Sequence, residues 1–363
     1  MDVKEVLFMS RGDGEDSYAQ TAAYPQKIAS LAKPTVANAV TSLLEEGFFP
    51  CELLNVADLG CALGPSTVTF MSTVVESVQK KCAHSNCLPP ELQFYLNDLP
   101  GNDFNTLFKS LSNFSQKYES LSCFIMGAPG TFHGRLFPRN CLHFAHSSYS
   151  VHWLSQVPNL TSEEGFPLNK GRIYISETSP SVVKEAYLAQ FRADFSTFLK
   201  FRSEEMVDNG RLVLVLKGRK DKDFAGINSH YIMEKLGEAI ADLVSEGFVE
   251  EEKLDTLNMP HYTASLEEVR GIVDEEGSFK IEHMEIIEVD VGGTTPDEDP
   301  RSRGRKTAKD ARSFTGSIIS HHLGAEIMDK LYCERLPIII GDDLAKERRM
   351  EVSIIVVLMK HIP

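Results

Sequence analysis

Along the chain, short apolar runs closed by glycine or polar turns alternate with stretches whose apolar positions return every three to four residues. The strand-like runs are 55–59, "LQFYLNDL" at 92–99, "LSCFIMGAPG" at 121–130, "GRIYISET" at 171–178, "GRLVLVLKG" at 210–218, "FKIEHMEIIEVD" at 279–290 and "EVSIIVVLMK" at 351–360. Helical spacing marks 67–81 and 182–207. Strands alternating with helices predict an α/β fold: a Rossmann-like, mostly parallel sheet covered on both faces, its last two strands forming an antiparallel edge. Two stretches interrupt the alternation. Residues 221–276 read as mostly helical, and the charged segment 290–312 predicts a mobile loop before helices resume through 315–336. The expected division is a core of 1–219, 277–290 and 350–363 under a mainly helical cap of 220–276 and 291–349.

The first strand runs into "DLGCALG", residues 58–64, and then into a helix. Gly60 permits a sharp turn and Gly64 the close approach of a ligand. The glycines lie four apart, unlike the G-x-G-x-x-G of dinucleotide sites. Asp58, two residues before the first glycine, suits a cationic ligand better than a pyrophosphate. S-adenosylmethionine, with an amino group, a sulfonium and no phosphate, fits that description. Asp98, ending the second strand, stands where a ribose diol would lie. Leu99 can cover an adenine face, Thr131 can bond the adenine amino group, and Phe132 can stack.

Composition narrows the class. The chain has 363 residues, 42% of them hydrophobic, enough for a sizeable core, and a formal charge of −15, which would repel a nucleic acid backbone. Seven scattered cysteines with no C-x-x-C pair suggest neither a disulfide framework nor a zinc site. The charged start lacks an apolar signal core, and no apolar run is long enough to span a bilayer. A reduced, cytoplasmic protein with no membrane or nucleic acid partner is expected. His133, His321 and His322 read as structural.

Five segments, "GDGEDSYAQ", "ADLGCALGPST", "YLNDLPGNDFNTLF", "GTFHGRLFP" and "SSYSVHWLSQVP", occur in order and together resemble the plant SABATH methyltransferases. The likeness spans nearly the whole chain and leans toward the xanthine N-methylating, caffeine synthase type. It implies donor contacts from Tyr18, Asp58, Cys61, Ser66, Asp98, Leu99, Thr131 and Phe132. For the acceptor it implies Tyr24, Pro25, Tyr149, His152 and Trp153, with Lys217 placed where the caffeine-type enzymes carry a residue linked to acceptor choice. It also implies a magnesium ion at Asn169, Asp255, Leu257 and Asn258, and a homodimer.

Departures from the family pattern bear on the acceptor. Ser66 replaces the usual Asn, and Thr131 a common Ser. The carboxyl methyltransferases hold the acceptor carboxylate with a Gln at the position of Pro25, which has no side-chain donor; here Gln26 follows one residue later. The expected reaction is therefore N-methylation of a methylxanthine, with His152, or a water held by it and Tyr149, taking the ring proton. Methyl ester formation on a benzoate- or salicylate-like acid is the alternative, and a ligand-binding relative without turnover is the rival from outside enzymology.

Overall fold

The computed structural model describes residues 2–45, 51–220, 230–291 and 299–361. Its centre is one sheet of β1 (Leu53–Leu59), β2 (Glu91–Asp98), β3 (Cys123–Pro129), β4 (Leu142–Ser148), β5 (Met206–Arg219), β6 (Ala264–Ser265), β7 (Phe279–Asp290) and β8 (Met350–Lys360). The strand order is β3-β2-β1-β4-β5-β8-β7, with the short β6 beside the end of β5. β1 to β6 pair in parallel, while β8 inserts antiparallel between β5 and β7. The antiparallel edge read from the sequence is thus present.

Both faces are buried, as a parallel sheet requires. Alternate residues of the same strands serve opposite layers: Leu212, Leu214 and Leu216 join one core, and Val213 and Val215 the other. The chain forms the helices α1 (Val3–Val6), α2 (Tyr18–Thr21), α3 (Ala23–Glu45), α4 (Pro65–Ser85), α5 (Phe104–Ser110), α6 (Ser112–Lys117), α7 (Ser181–Glu205), α8 (Tyr231–Ser245), α9 (Glu251–Thr256), α10 (Leu266–Glu276), α11 (Pro300–Leu323) and α12 (Leu336–Leu344). α3 and α4 pack together on one face, while α7 and α10 pack together on the other. Among the described residues, no helix is long and apolar enough to cross a membrane.

Three expectations fail, each for a physical reason. Residues 171–178 form no strand, although Ile173, Tyr174 and Ile175 are buried. Their backbone bonds go elsewhere: the Asn169 amide reaches the carbonyls of Arg172 and Tyr174, and the Ile173 carbonyl accepts from Met259 N–H. The missing parallel strand is β4, whose polar His146 and Ser147 are buried. The third failure is the loop at 290–312. Of that span, 292–298 lie outside the described residues, but α11 starts at Pro300. Asp299 caps it by accepting from Ser302 N–H, and Pro300 occupies the first turn. The helix is charged outside and packs inside through small residues: a Cβ on Gly304 would collide with the backbone of Pro337 and Gly341 in α12.

Candidate active site

The order reversal between β1 and β4 opens a crevice at the strand ends, where ligands bind in such sheets. A cavity opens there, with walls from α1, α2, the β1, β2 and β4 ends, the 131–133 loop and α11. It encloses about 1470 Å³ with its open mouth included. The same cavity is lined by residues expected at the donor, Tyr18, Asp98 and Phe132, and by residues expected at the acceptor, Tyr149, His152 and Trp153.

The turn after β1 is held tightly. Gly60 and Cys61 both donate their N–H to the Asn97 carbonyl at the end of β2. Gly60 has φ +78°, and a Cβ there would overlap the Ser150 side chain, so this position needs glycine. Gly64 differs from expectation: it is the extended N-cap residue of α4, with Pro65 following it.

Asp58 is also a correction. Its carboxylate is buried away from the cavity, one oxygen accepting from the Thr67 hydroxyl at 2.8 Å and the other 2.8 Å from His146 Nδ1. Phe70 stacks on that imidazole, centroids 4.1 Å apart. Asp58 therefore fixes β1, α4 and β4 together beneath the turn, and it does not line the cavity. Cys61 and Ser66 likewise lie outside the cavity lining; burial pushes the Cys61 thiol up and leaves it inert.

Tyr18, Asp98, Leu99, Thr131 and Phe132 do line the cavity. Asp98 accepts from Ala62 N–H and Leu99 N–H, both at 2.7 Å, so one carboxylate joins two loops. Burial raises its pKa to about 6, and the two N–H bonds pull the other way. Asp310 of α11 also lines this end, and burial raises it to about 7. The loop carrying Phe132 is pinned from behind. Arg202 donates to the carbonyls of Phe132 and Gly134, and Glu205 accepts from Leu136 and Phe137 N–H. Arg202 and Glu205 are fully buried, and their closest approach is 2.8 Å.

Every residue expected at the acceptor, Tyr24, Pro25, Tyr149, His152, Trp153 and Lys217, is brought to the same wall. Tyr149 holds a left-handed φ of +58°, unusual for an aromatic residue, and places its hydroxyl 2.5 Å from Ser353 Oγ. Tyr24 meets it edge-on at 5.8 Å. Three residues the sequence reading missed complete the wall: His261, Glu351 and His133, the last expected to be structural. His261 packs 4.7 Å from His152 and 5.3 Å from Trp153, and its Nδ1 is buried without a partner. Glu351 accepts from Lys217 Nζ at 2.6 Å.

His152 does not suit the proton-accepting role expected of it. Its Nδ1 accepts the backbone N–H of Lys217 at 3.2 Å, which leaves Nε2 carrying the hydrogen. Burial and the Lys217 charge lower its pKa to about 3. It is a neutral hydrogen-bond donor.

The implied magnesium set is drawn together but is already satisfied. Asn169 Nδ2 faces two backbone carbonyls and Asn258 Oδ1 at 3.1 Å, Asn169 Oδ1 accepts from Ser179, and Asp255 accepts from Gly171 N–H. An amide N–H₂ pointing into the set does not fit an ion that demands an octahedron of oxygens. These residues form a polar clasp between the 169–179 loop and the end of α9 with Asn258 beyond it.

The profile of the SAM-dependent carboxyl methyltransferases matches residues 4–361. The chain belongs to this family. Its donor is S-adenosylmethionine, and Tyr18, Asp98, Leu99, Thr131 and Phe132, the residues expected to meet it, line the cavity of the methyltransferase. It is 54% identical to a 7-methylxanthine methyltransferase of Camellia ptilophylla, over 99% of this chain and 98% of that one. It is 53% identical to a 3,7-dimethylxanthine N-methyltransferase of Camellia sinensis, over 99% and 97%. Among solved structures, a loganic acid methyltransferase with SAH superposes at a TM-score of 0.84, with 32% identity over 98% of this methyltransferase and 99% of the other.

Proposed function

We propose that this methyltransferase moves the methyl group of S-adenosylmethionine to a ring nitrogen of a methylxanthine such as 7-methylxanthine, theobromine or paraxanthine. The observation that carries the reading is the Lys217–Glu351 pair in the acceptor wall. An acid substrate wants a free donor, a glutamine amide or an unpaired cation, whereas the buried lysine here is already paired, and Glu351 would repel a second carboxylate. A purine edge instead offers an N–H beside a carbonyl, which matches an acceptor beside donors. Trp153 and Tyr149 supply flat apolar surface for the ring. Pro25 supports the same choice, as do the xanthine-methylating relatives.

The donor supplies an electrophilic methyl carbon on a good leaving group. The protein's part is alignment and exclusion of water, and positioning of this kind is worth up to about 7–11 kcal/mol in ideal cases. Neutral His152 presents its Nε2–H to a ring carbonyl, and Tyr149, fixed by Ser353, sets the plane of the acceptor. Tyr18 and Phe132 close the donor end.

Methyl ester formation is the second reading, favoured by the likeness to a loganic acid methyltransferase. Incubation with methyl-labelled donor and a divided panel separates the two. One half holds xanthine and its mono- and dimethyl derivatives, the other benzoate, salicylate and related acids. Label in a methylxanthine is expected. Label only in base-labile esters would overturn the purine reading. As part of the same reading we take the protein to be a cytoplasmic homodimer with the core and cap division given above; light scattering on the purified protein tests the dimer.

A further inference from the structure

We propose that Glu351 is the group that accepts the ring N–H proton of the acceptor, with Lys217 holding its carboxylate in place; this rests on the purine reading. Lys217 of β5 lies opposite Ser353 of β8, so Glu351, two residues earlier, is its diagonal neighbour on the same face. Both side chains line the cavity, and Glu351 is only 5% exposed. Lys217 Nζ takes Oε1 at 2.6 Å; among the described residues no hydrogen bond engages Oε2.

A ring N–H must lose its proton as the new N–C bond forms, and the other polar groups on this wall cannot take it. His152 has its free lone pair turned into the Lys217 N–H. Burial, together with the neighbouring His152 and Lys217, holds His261 well below the usual imidazole range, and burial also depresses His133. Tyr24 and Tyr149 are kept as neutral phenols by burial and by the nearby Glu351 charge. Asp98 is occupied by two backbone N–H groups, and Asp310 acts on Tyr18 at the donor end. Among the described residues, this leaves Glu351 as the carboxylate on the acceptor wall.

Among the described residues, the groups facing Glu351 are few. β5 presents Lys217, α3 presents Tyr24, and the end of β4 leads to Tyr149. On β7 its partner is Val289, whose neighbours Glu288 and Asp290 are paired outward with Lys220 and with Arg303 and Arg348. Just before β8, Arg349 is engaged by Asp343.

In the step, the ring N–H bond breaks and its proton passes to Glu351. The freed pair on nitrogen forms the N–CH₃ bond, and the C–S bond breaks with sulfur keeping its electrons. The products are the N-methylated ring, a neutral thioether and a protonated Glu351, which returns its proton to water when the site opens. Lys217 Nζ holds Oε1, which leaves Oε2 to meet the ring N–H.

The test compares wild type with Glu351→Gln on whichever methylxanthine the wild type methylates. Values of kcat/KM are followed from neutral to alkaline pH, with S-adenosylhomocysteine affinity measured alongside. A loss of about 10²–10⁴-fold is expected at neutral pH. It should narrow as the pH approaches the ionisation of the acceptor itself, because a purine anion needs no base. Donor affinity should be unchanged. A variant that tracks the wild type at every pH, or loses the same factor at every pH with donor binding intact, overturns the proposal.

Removing Glu351 alone strands a buried Lys217 charge. Should that variant fail to bind S-adenosylhomocysteine, Lys217→Met with Glu351→Gln removes both charges and is judged by the same pH profile. A wild type that labels only acids overturns the purine reading, and this proposal with it, before any variant is made.

Discussion

His152 Nδ1 and the backbone N–H of Lys217 lie 3.2 Å apart, and this one bond fixes the imidazole as a donor toward the acceptor. An amide N–H can only donate, so Nδ1 must be unprotonated. It follows that His152→Ala should raise KM by the value of a lost hydrogen bond, about 1–3 kcal/mol where a buried partner is left unmade. The pH dependence of kcat should keep its shape, since no titrating base has been removed. A pH–rate series on the variant checks both, and a lost ionisation near neutrality would show that His152 carries the proton after all.

Donor binding is expected to be sensitive to acid through Asp98. Its carboxyl sits at about 6 in the free protein because it is buried, and a ribose diol is best held by the ionised form. Affinity for S-adenosylhomocysteine should therefore fall as pH drops below about 6. Calorimetric titration between pH 5 and 8 measures this, and Asp98→Asn should bind weakly with the slope reduced. The stability of the free protein runs the other way. With a raised carboxyl, the folded state binds more protons than the unfolded chain between roughly pH 4 and 6, so this group's contribution declines as pH rises through that window.

Much of this site was legible in the sequence because its residues sit next to strand ends, and strand ends can be read from local pattern. Asp98, Thr131 and Phe132 follow apolar runs that survive as β2 and β3. Asp58 was misjudged because its partners, Thr67 and His146, lie 9 and 88 residues away. β4 was missed for the same reason: its buried polar residues are satisfied by β1, and alone they look like surface. The opposite error, at 173–175, came from apolar alternation whose backbone bonds to a side-chain amide. Glu351 faces a lysine 134 positions earlier, a pairing that only the β5–β8 register creates.

The Arg202–Glu205 pair should matter to the donor although neither residue lines the cavity. Both are fully buried, and between them they satisfy four backbone groups of the loop that carries Phe132. Glu205→Gln leaves the guanidinium without its counter-charge, a change that costs about 3–5 kcal/mol when one member of such a pair is removed. A lower midpoint in thermal unfolding is expected, together with weaker S-adenosylhomocysteine binding at temperatures where the variant remains folded. A stable variant with wild-type donor affinity would mean that the loop holds its shape without the pair.

Gly60 and Ser150 should show coupling. Gly60→Ala places a Cβ at φ +78°, costing about 1–2 kcal/mol for the left-handed backbone alone, and drives it into Ser150. The collision cannot be relaxed by moving the turn, because Gly60 N–H is bonded to the Asn97 carbonyl and the Ser150 hydroxyl donates to the Gly60 carbonyl at 3.0 Å. Ser150→Gly removes the obstacle and the hydroxyl together. The double variant should therefore be more stable than the two single losses predict when added, with an interaction of about 0.5–3 kcal/mol in denaturant unfolding. The backbone part of the penalty remains in the double variant, since it belongs to the turn and not to the neighbour. Strict additivity would place the whole cost in the backbone and none in the contact with Ser150.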